Sequence, residues 1–370
     1  MKTTTTTAAA FAALAAFVLA TAGAADLPFQ PETIDDSVEI GYGLALADVD
    51  GDGKTDIILA DKREIRWYEN PTWKPHVLAR NLTLLDNVCV AARDVDGDGK
   101  AEIAVGAGWN PGETTDPEKS GAVFYLQRPE GDPRARWEPI PLPHDPTVHR
   151  MRWFKREADT FALGVLPLHG IGNQDGAGEN DVQLSVFDFP IEAGDTPSER
   201  IATGLHATHN FDVVLAADGS EILLVAGAAG IRAFPSTTEN QTEEAAGEVR
   251  YIDGTLATIE PMHGNRVVVH GAERKILDDT LNQGHGLAVA DLLGRGQPQV
   301  IAGWRNPDAS GKVGIKIYDP QSGETLVLDD NTMACEDLAV ADLDDDGHLE
   351  VVAAGRSTHN LVIYWNRPTQ

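Results

Sequence analysis

Positive charge is scarce in this chain: 29 Lys and Arg stand against 58 Asp and Glu, a formal net charge of −29 over 370 residues. No basic field is available to displace phosphate counterions, so nucleic acid is excluded as a partner. Cysteine is almost absent, with only Cys89 and Cys335. Nothing suggests a cysteine-stapled scaffold, and free thiols are expected rather than a bridge. Long apolar runs are confined to the N-terminus, where Lys2, the stretch Ala8 to Ala20 and the small residues Ala22 and Ala24 read as a secretory signal peptide over residues 1–24. No later stretch approaches the roughly 20 residues that cross a bilayer, so a secreted or periplasmic protein without a membrane span is expected. A Gly-rich phosphate cradle, a G-x-S-x-G elbow and an H-E-x-x-H pair are all missing, which leaves serine hydrolases and protease-type zinc sites unsupported. Helical periodicity is also weak after the leader, while 36 Gly and 21 Pro suit a chain of many turns.

What is present is a repeated acidic unit. In Tyr42 to Ala60 one apolar run ends at Asp48, a turn carries Asp48, Asp50, Asp52 and Asp56, and a second apolar run follows. Carboxylates at positions 1, 3, 5 and 9 of a short loop, with glycines where positive φ is needed, suit the oxygen-only coordination of calcium. The unit returns as Asp94, Asp96, Asp98 and Glu102, and again as Asp342, Asp344, Asp346 and Glu350. A fourth copy beginning at Asp291 keeps the shape without the charge. Recurrence of one strand–loop–strand unit at long spacing signals a repeat architecture.

Aligning on the residue six positions before each loop aspartate places inner-strand starts at Tyr42, Val88, His285 and Glu336. Segments at His149 and His209 match without the acidic signature, and a shorter one begins at His263. A strand-like segment precedes every start, from Phe29–Asp35 onward, while the last unit lacks its own outer strand. The N-terminal strand therefore closes the ring. The fold class expected is all-β, a seven-bladed β-propeller with calcium-binding loops, filling residues 25–370 as one domain. In such a blade the acidic loops, joining first strand to second, lie on one face and the inner-strand starts on the other. Calcium (Ca2+) is then structural.

The starts collect His149, His209, His263, His285 and Glu336 around the channel mouth. Neutral imidazoles converging there suit zinc (Zn2+) or another divalent metal, which takes three or four N or O ligands and keeps an open position when catalytic. Loops after the second strands share this face and carry Trp109, His169, His270, Trp304, Arg305, Arg356 and His359. Aromatic platforms beside hydrogen-bonding residues in a concave pocket suit a sugar or oligosaccharide, although Trp109 and Trp304 could equally brace long loops.

The acidic loops resemble FG-GAP (VCBS-type) repeats. A more specific likeness runs through His149-Arg150-Met151-Arg152-Trp153, Leu168-His169-Gly170, Leu205 to Asn210, Glu260 to Asn265, Leu277 to Leu281 with Gly284-His285, Glu336-Asp337-Leu338-Ala339 and Gly355-Arg356 with Thr358-His359-Asn360. These segments resemble the propeller domain of aldos-2-ulose dehydratases and their bacterial relatives. The resemblance implies a carbon–oxygen lyase that dehydrates or β-eliminates a keto-sugar or anhydro-sugar, with a metal in the propeller mouth. On that basis His149, His209 and His285 are expected as ligands. His169, His263, His270, Tyr42 and Glu336 are expected in proton transfer, and Arg356, Trp109, Trp304, Arg305 and His359 around the substrate. Two further functions fit the same chain: a polysaccharide lyase cleaving at a uronic acid, and a non-catalytic FG-GAP propeller that binds carbohydrate or protein.

Overall fold

A computed structural model describes residues 28–368 apart from 158–159, 175–177, 217–218 and 236–241. The segment read as a signal peptide lies outside the described residues. Seven antiparallel sheets follow one another around an axis. Blade 1 runs Gly43–Ala47, Asp56–Ala60, Glu64–Glu69 and Lys74–Arg80, and blade 2 runs Cys89–Arg93, Glu102–Ala107, Ala122–Gln127 and Glu138–Leu142. Blade 3 comprises Val148–Glu157, Thr160–Pro167, Gln183–Asp188 and Glu199–Ala202. Blade 4 has three strands among the described residues, Thr208–Leu215, Glu221–Gly227 and Gly230–Phe234. Blade 5 is Glu248–Ile252, Thr255–Glu260, Arg266–His270 and Arg274–Asp278, and blade 6 is Gly284–Ala290, Gln299–Trp304, Gly314–Tyr318 and Thr325–Asp330. Blade 7 takes Cys335–Ala341, Glu350–Gly355 and Asn360–Asn366, and Phe29–Asp35 pairs antiparallel with the last of these. The expected closure by the N-terminal strand is what the chain does.

Register within the ring departs from expectation in one place. The fifth inner strand is Glu248–Ile252 and starts beside Gly247, not at His263. His263 instead occupies the turn between the second and third strands of blade 5, which also faces the mouth. Of the strand-like segments that precede the expected starts, the one ahead of His263, Val249 to Gly254, would be the outer strand of blade 4; it is the inner strand of blade 5.

Hydrophobic burial is organised between blades rather than within them. Seven clusters of buried side chains each draw on two neighbouring blades, and one of them joins Ile57 and Leu59 of blade 1 to Val352, Leu361 and Ile363 of blade 7. Second strands are covered on both faces, so Asp56–Ala60, Glu102–Ala107 and Glu350–Gly355 are buried along their whole length. That explains their unbroken apolar runs where a half-exposed strand would alternate. Burying one such Ile or Leu is worth about 1.5–3 kcal/mol.

Cys89 and Cys335 are free and buried, as expected. Each packs its sulfur against a glycine of an adjacent strand. A Cβ on Gly106 would stand 2.6 Å from Cys89 Sγ. Gly106→Ala should destabilise by about 1–3 kcal/mol through overpacking. Adding Cys89→Ala should recover much of that loss in chemical denaturation.

Candidate functional site

The inner strands that carry the mouth residues share a local defect. Register slips by one residue between Val148 and Arg150, Thr208 and Asn210, Gly284 and Gly286, and Cys335 and Asp337. The extra residues are His149, His209, His285 and Glu336. A β-bulge of this kind leaves one residue outside the ladder and re-aims its side chain. The inner strands of blades 1, 2 and 5 pair with their second strands without such a slip.

Each bulged histidine reaches the next blade. His149 Nδ1 meets His209 O at 2.6 Å, and His285 Nδ1 meets the backbone oxygen of Glu336. His209 Nδ1 lies between Gly247 O at 3.2 Å and Glu248 Oε1 at 3.0 Å. Carbonyl oxygens only accept, so each Nδ1 carries the proton and each Nε2 presents its lone pair. His149 uses that lone pair on the Arg150 guanidinium, 3.1 Å away. His209 Nε2 instead approaches His263 Nε2 at 2.7 Å, where His263 donates. His285 stacks on the His263 ring at 5.1 Å between centroids.

One ligand atom from each of His209, His263 and His285 falls within 4.8 Å of the others. His263 therefore replaces His149 in the expected three-imidazole set. Its tight turn depends on Gly264, where a Cβ would collide with Glu260 O at 2.0 Å. All four imidazoles are held neutral. Burial is the main cause, and the cations Arg150 and Arg305 add to it; His149 and His285 lie well below the ordinary range, His209 is lowered, and His263 falls to about 3. Glu248, 2% exposed, was missed by sequence reasoning because its strand had been assigned to blade 4. Burial would raise its carboxyl, but the His209 hydrogen bond and the nearby cations Arg150 and Arg250 outweigh that and hold it low, at about 2.

Glu336 is placed at the mouth but occupied. Arg305 Nη1 contacts both carboxylate oxygens at 2.9 Å and Arg356 Nη1 contacts one at 2.8 Å. That clamp suits positioning, not proton transfer. Tyr42 donates to Asp86 Oδ2 at 3.1 Å beneath the Arg356 guanidinium, and burial followed by the Asp86 charge raises its phenol well above the usual range. Trp109 is half-buried with its ring 5.1 Å from His149, so it belongs to the mouth wall. His169 follows the second strand of blade 3 on the same face, its N–H on Thr147 Oγ1. His359 is exposed there, with Nδ1 against the carbonyls of Val38 and Glu39.

One expected residue lies away from the mouth and another, at the rim, is turned into the protein. His270 ends the third strand of blade 5, far from the mouth end, and its ring turns onto Thr258 and Glu260. The misplaced register of blade 5 had put it in a mouth loop. Trp304 is 3% exposed and donates to Lys312 O at 2.8 Å, bracing the loop instead of facing a ligand.

On the opposite face the three acidic loops bring together Asp48, Asp50 and Asp56; Asp94, Asp96 and Glu102; and Asp342, Asp344 and Glu350. The position-5 carboxylates are not part of these groups: Asp52 pairs with Lys54, Asp98 with Lys100 and Asp346 with Arg367. The first carboxylate shapes each loop, as when Asp48 accepts from Gly51 and Gly53, both at 2.7 Å. Burial, with the neighbouring carboxylates adding to it, raises Asp56 and Glu102 to about 7.

Profiles of two repeat families match the chain, an FG-GAP-like repeat over residues 48–105 and an FG-GAP repeat over residues 90–126. The matched residues contain the acidic loops that begin at Asp48 and Asp94, and the loop at Asp342 repeats their spacing outside the matched stretch. No curated protein matches. Among solved structures, this propeller superposes on a chain in the crystal structure of the mitotic checkpoint complex, with a TM-score of 0.61, 14% identity and 99% of both chains covered. It also superposes on a chain in the crystal structure of BBS1N in complex with ARL6DN, soaked with lead, at TM-score 0.60 and 13% identity over 93% of this chain and 97% of that one. The WD40 beta propeller domain of Doa1 matches at 0.54 and 9%, covering 88% of this chain and 93% of that one. These likenesses carry the fold alone.

The raised carboxyls set a pH dependence in chelator. Asp56 binds its proton more tightly folded, at about 7, than unfolded, at about 4. Its contribution is thus complete below about pH 4 and lost as pH rises through about 7, by at most a few kcal/mol. The neutral imidazoles act in the opposite sense, so the comparison isolates one group. Asp56→Asn should gain stability relative to the parent as urea unfolding is moved from about pH 5 to about pH 7.5.

Proposed function

We propose that this FG-GAP propeller is a carbon–oxygen lyase that dehydrates or β-eliminates a keto-sugar or anhydro-sugar at the channel mouth. The observation that carries the proposal is the set of three neutral imidazoles, His209, His263 and His285, with ligand atoms within 4.8 Å of one another. The donor set fits zinc or a similar divalent ion: three nitrogens, with the Nδ1 of His209 and His285 anchored on protein oxygens and their Nε2 facing inward. His263 would join them in the other tautomer, with its proton on Nδ1 and the Nε2 lone pair free. When bound, such an ion polarises a substrate carbonyl and stabilises the negative charge that develops on its oxygen.

The chain's own residues supply the rest. Tyr42 keeps its proton and stands beside Arg356, as a donor to the departing oxygen should. Proton removal from carbon is assigned to His169, which follows the second strand of blade 3 on the mouth face. A well-placed acid or base of this kind is worth about 10² to 10⁴ in rate. Trp109 gives the sugar an apolar wall. The clamp on Glu336 favours a neutral keto-sugar over a uronic acid, because both mouth arginines are already engaged by a carboxylate. The motif likeness to aldos-2-ulose dehydratases supports the same chemistry.

The proposal includes calcium in the three acidic loops. On the signal-peptide reading the protein works outside the cytoplasm, where extracellular modules bind calcium at about 10⁻⁴ to 10⁻³ M. The oxygen-only groups of the loops and the nitrogen-only group of the mouth would then sort two metals to two faces.

Metal analysis of the parent, His209→Ala and His285→Ala tests the assignment. One equivalent of a transition metal should be present in the parent and lost in both variants while calcium stays. Calcium alone in all three would overturn the mouth site. With a keto-sugar substrate, enone absorbance should grow with the parent and slow by about 10² or more in Tyr42→Phe. Calcium should raise the thermal midpoint, and Asp50→Ala should blunt that rise without changing the product.

A further inference from the structure

Below Tyr42 a pocket of about 10 Å³ is lined by Arg150, Arg152, Asn210, Arg250 and Asp337. Beyond it a chamber of about 360 Å³ opens toward the face of the acidic loops. Arg152, Arg250 and Asp337 line both spaces together with Leu44 and Val90, and these five form the partition between them. Arg93 and Asp212 complete the polar lining of the larger chamber.

The charges of this layer are unevenly partnered. Asp212 accepts the Tyr251 N–H at 2.9 Å, and Asp337 accepts the Leu44 and Leu338 N–H groups, each at 2.9 Å. Arg93 forms a two-point ion pair with Glu221 at 2.8 and 3.0 Å. Arg250 donates only to Val249 O, at 2.7 Å. Among the described residues Arg152 donates no hydrogen bond, and neither Arg152 nor Arg250 has a carboxylate oxygen within 4.0 Å. Burial and the nearby Arg250 push the Arg152 guanidinium down to about 10, with Asp212 and Asp337 offsetting this only from a distance. Both guanidiniums are half-buried, and a cation partly withdrawn from water is costly unless something pairs with it. A planar guanidinium with all its donors unused is shaped for two-point contact with an oxyanion.

We propose that the chamber below the partition is a second binding site, for a small oxyanion: a carboxylate or a sulfate or phosphate group on a molecule of about monosaccharide size. Arg152 and Arg250 contact the anionic group, and the chamber, within the common range of about 300–1,000 Å³ for ligand pockets, holds the remainder. The site is independent of the imidazole cluster and does not rest on the lyase assignment.

Calorimetric titration of the full chain with sodium sulfate and sodium glucuronate, at matched ionic strength in sodium chloride and with glucose as the uncharged control, tests this. One saturable equivalent of at least one anion is expected, with Kd below about 1 mM. Arg152→Met and Arg250→Met should each weaken it at least tenfold, Arg152→Lys should retain part of it, and His209→Ala should leave it unchanged. Without anion, Arg152→Met should unfold no more easily than the parent, since it removes an unpartnered cation. Response to glucuronate alone would identify a carboxylate site, and response to sulfate alone a sulfate or phosphate site. Absence of saturable binding by both, equal binding by the arginine variants, or equal binding of glucose would overturn the proposal. So would a large loss of stability in Arg152→Met, which would make the guanidinium a structural strut.

Discussion

No blade of this protein can bury its own apolar surface. Each sheet has two faces and each face is covered by the neighbouring blade, so all seven hydrophobic clusters lie between sheets. The ring must therefore close before any blade is fully stable. Closure is made by Phe29–Asp35 on the outside of blade 7 and, near the axis, by contacts such as the Leu44 N–H on Asp337. Radial repetition removes long open sheet edges. It also forces every inner strand to begin at one rim, so whatever residues stand at those starts must meet.

Meeting alone does not make a site, and the bulges supply the direction. A regular strand would send the residue at its start into the seam between blades. The slip at His149, His209, His285 and Glu336 takes four side chains out of the ladder. Their backbone partners are then recruited across the seam, since the Nδ1–H of one blade's imidazole ends on a carbonyl of the next. The same contact that joins neighbouring blades fixes the tautomer that leaves Nε2 available. Fold stability and side-chain presentation thus share a hydrogen bond.

How much of this could be read in advance depended on where the sequence carried a ruler. In blades 1, 2 and 7 the acidic loops mark the first turn, and the inner strands fall within one residue of the expected starts. Blade 6 keeps the loop's shape, with Asp291 accepting from Arg295 and Gly296 as its acidic counterparts do, and it too is placed correctly. Blades 4 and 5 have no such loop. There the histidines served as markers, and His263 misled because a turn after the second strand reaches the same rim as an inner-strand start. Glu248 and His270 were misjudged as a direct consequence. Bulges have no signature in a single sequence, because the slip is a relation between two strands and not a property of one.

The charge distribution follows from the same geometry. A chain with a net charge of −29 would be expected to present an acidic channel, yet along the axis Arg150, Arg152 and Arg250 stand with Asp212 and Asp337, and at the rim Arg305 and Arg356 close on Glu336. Acidic residues gather where the first strand turns into the second, around oxygen-rich loops that gain from a cation. Cations gather where inner strands converge, and they act with burial to keep the imidazoles neutral. A carboxylate-rich mouth would do the reverse, favouring imidazolium and occupying the ring nitrogens with protons. Burial at the rim, with Arg150 and Arg305 adding to it, is therefore what lets an acidic protein hold four neutral histidines together.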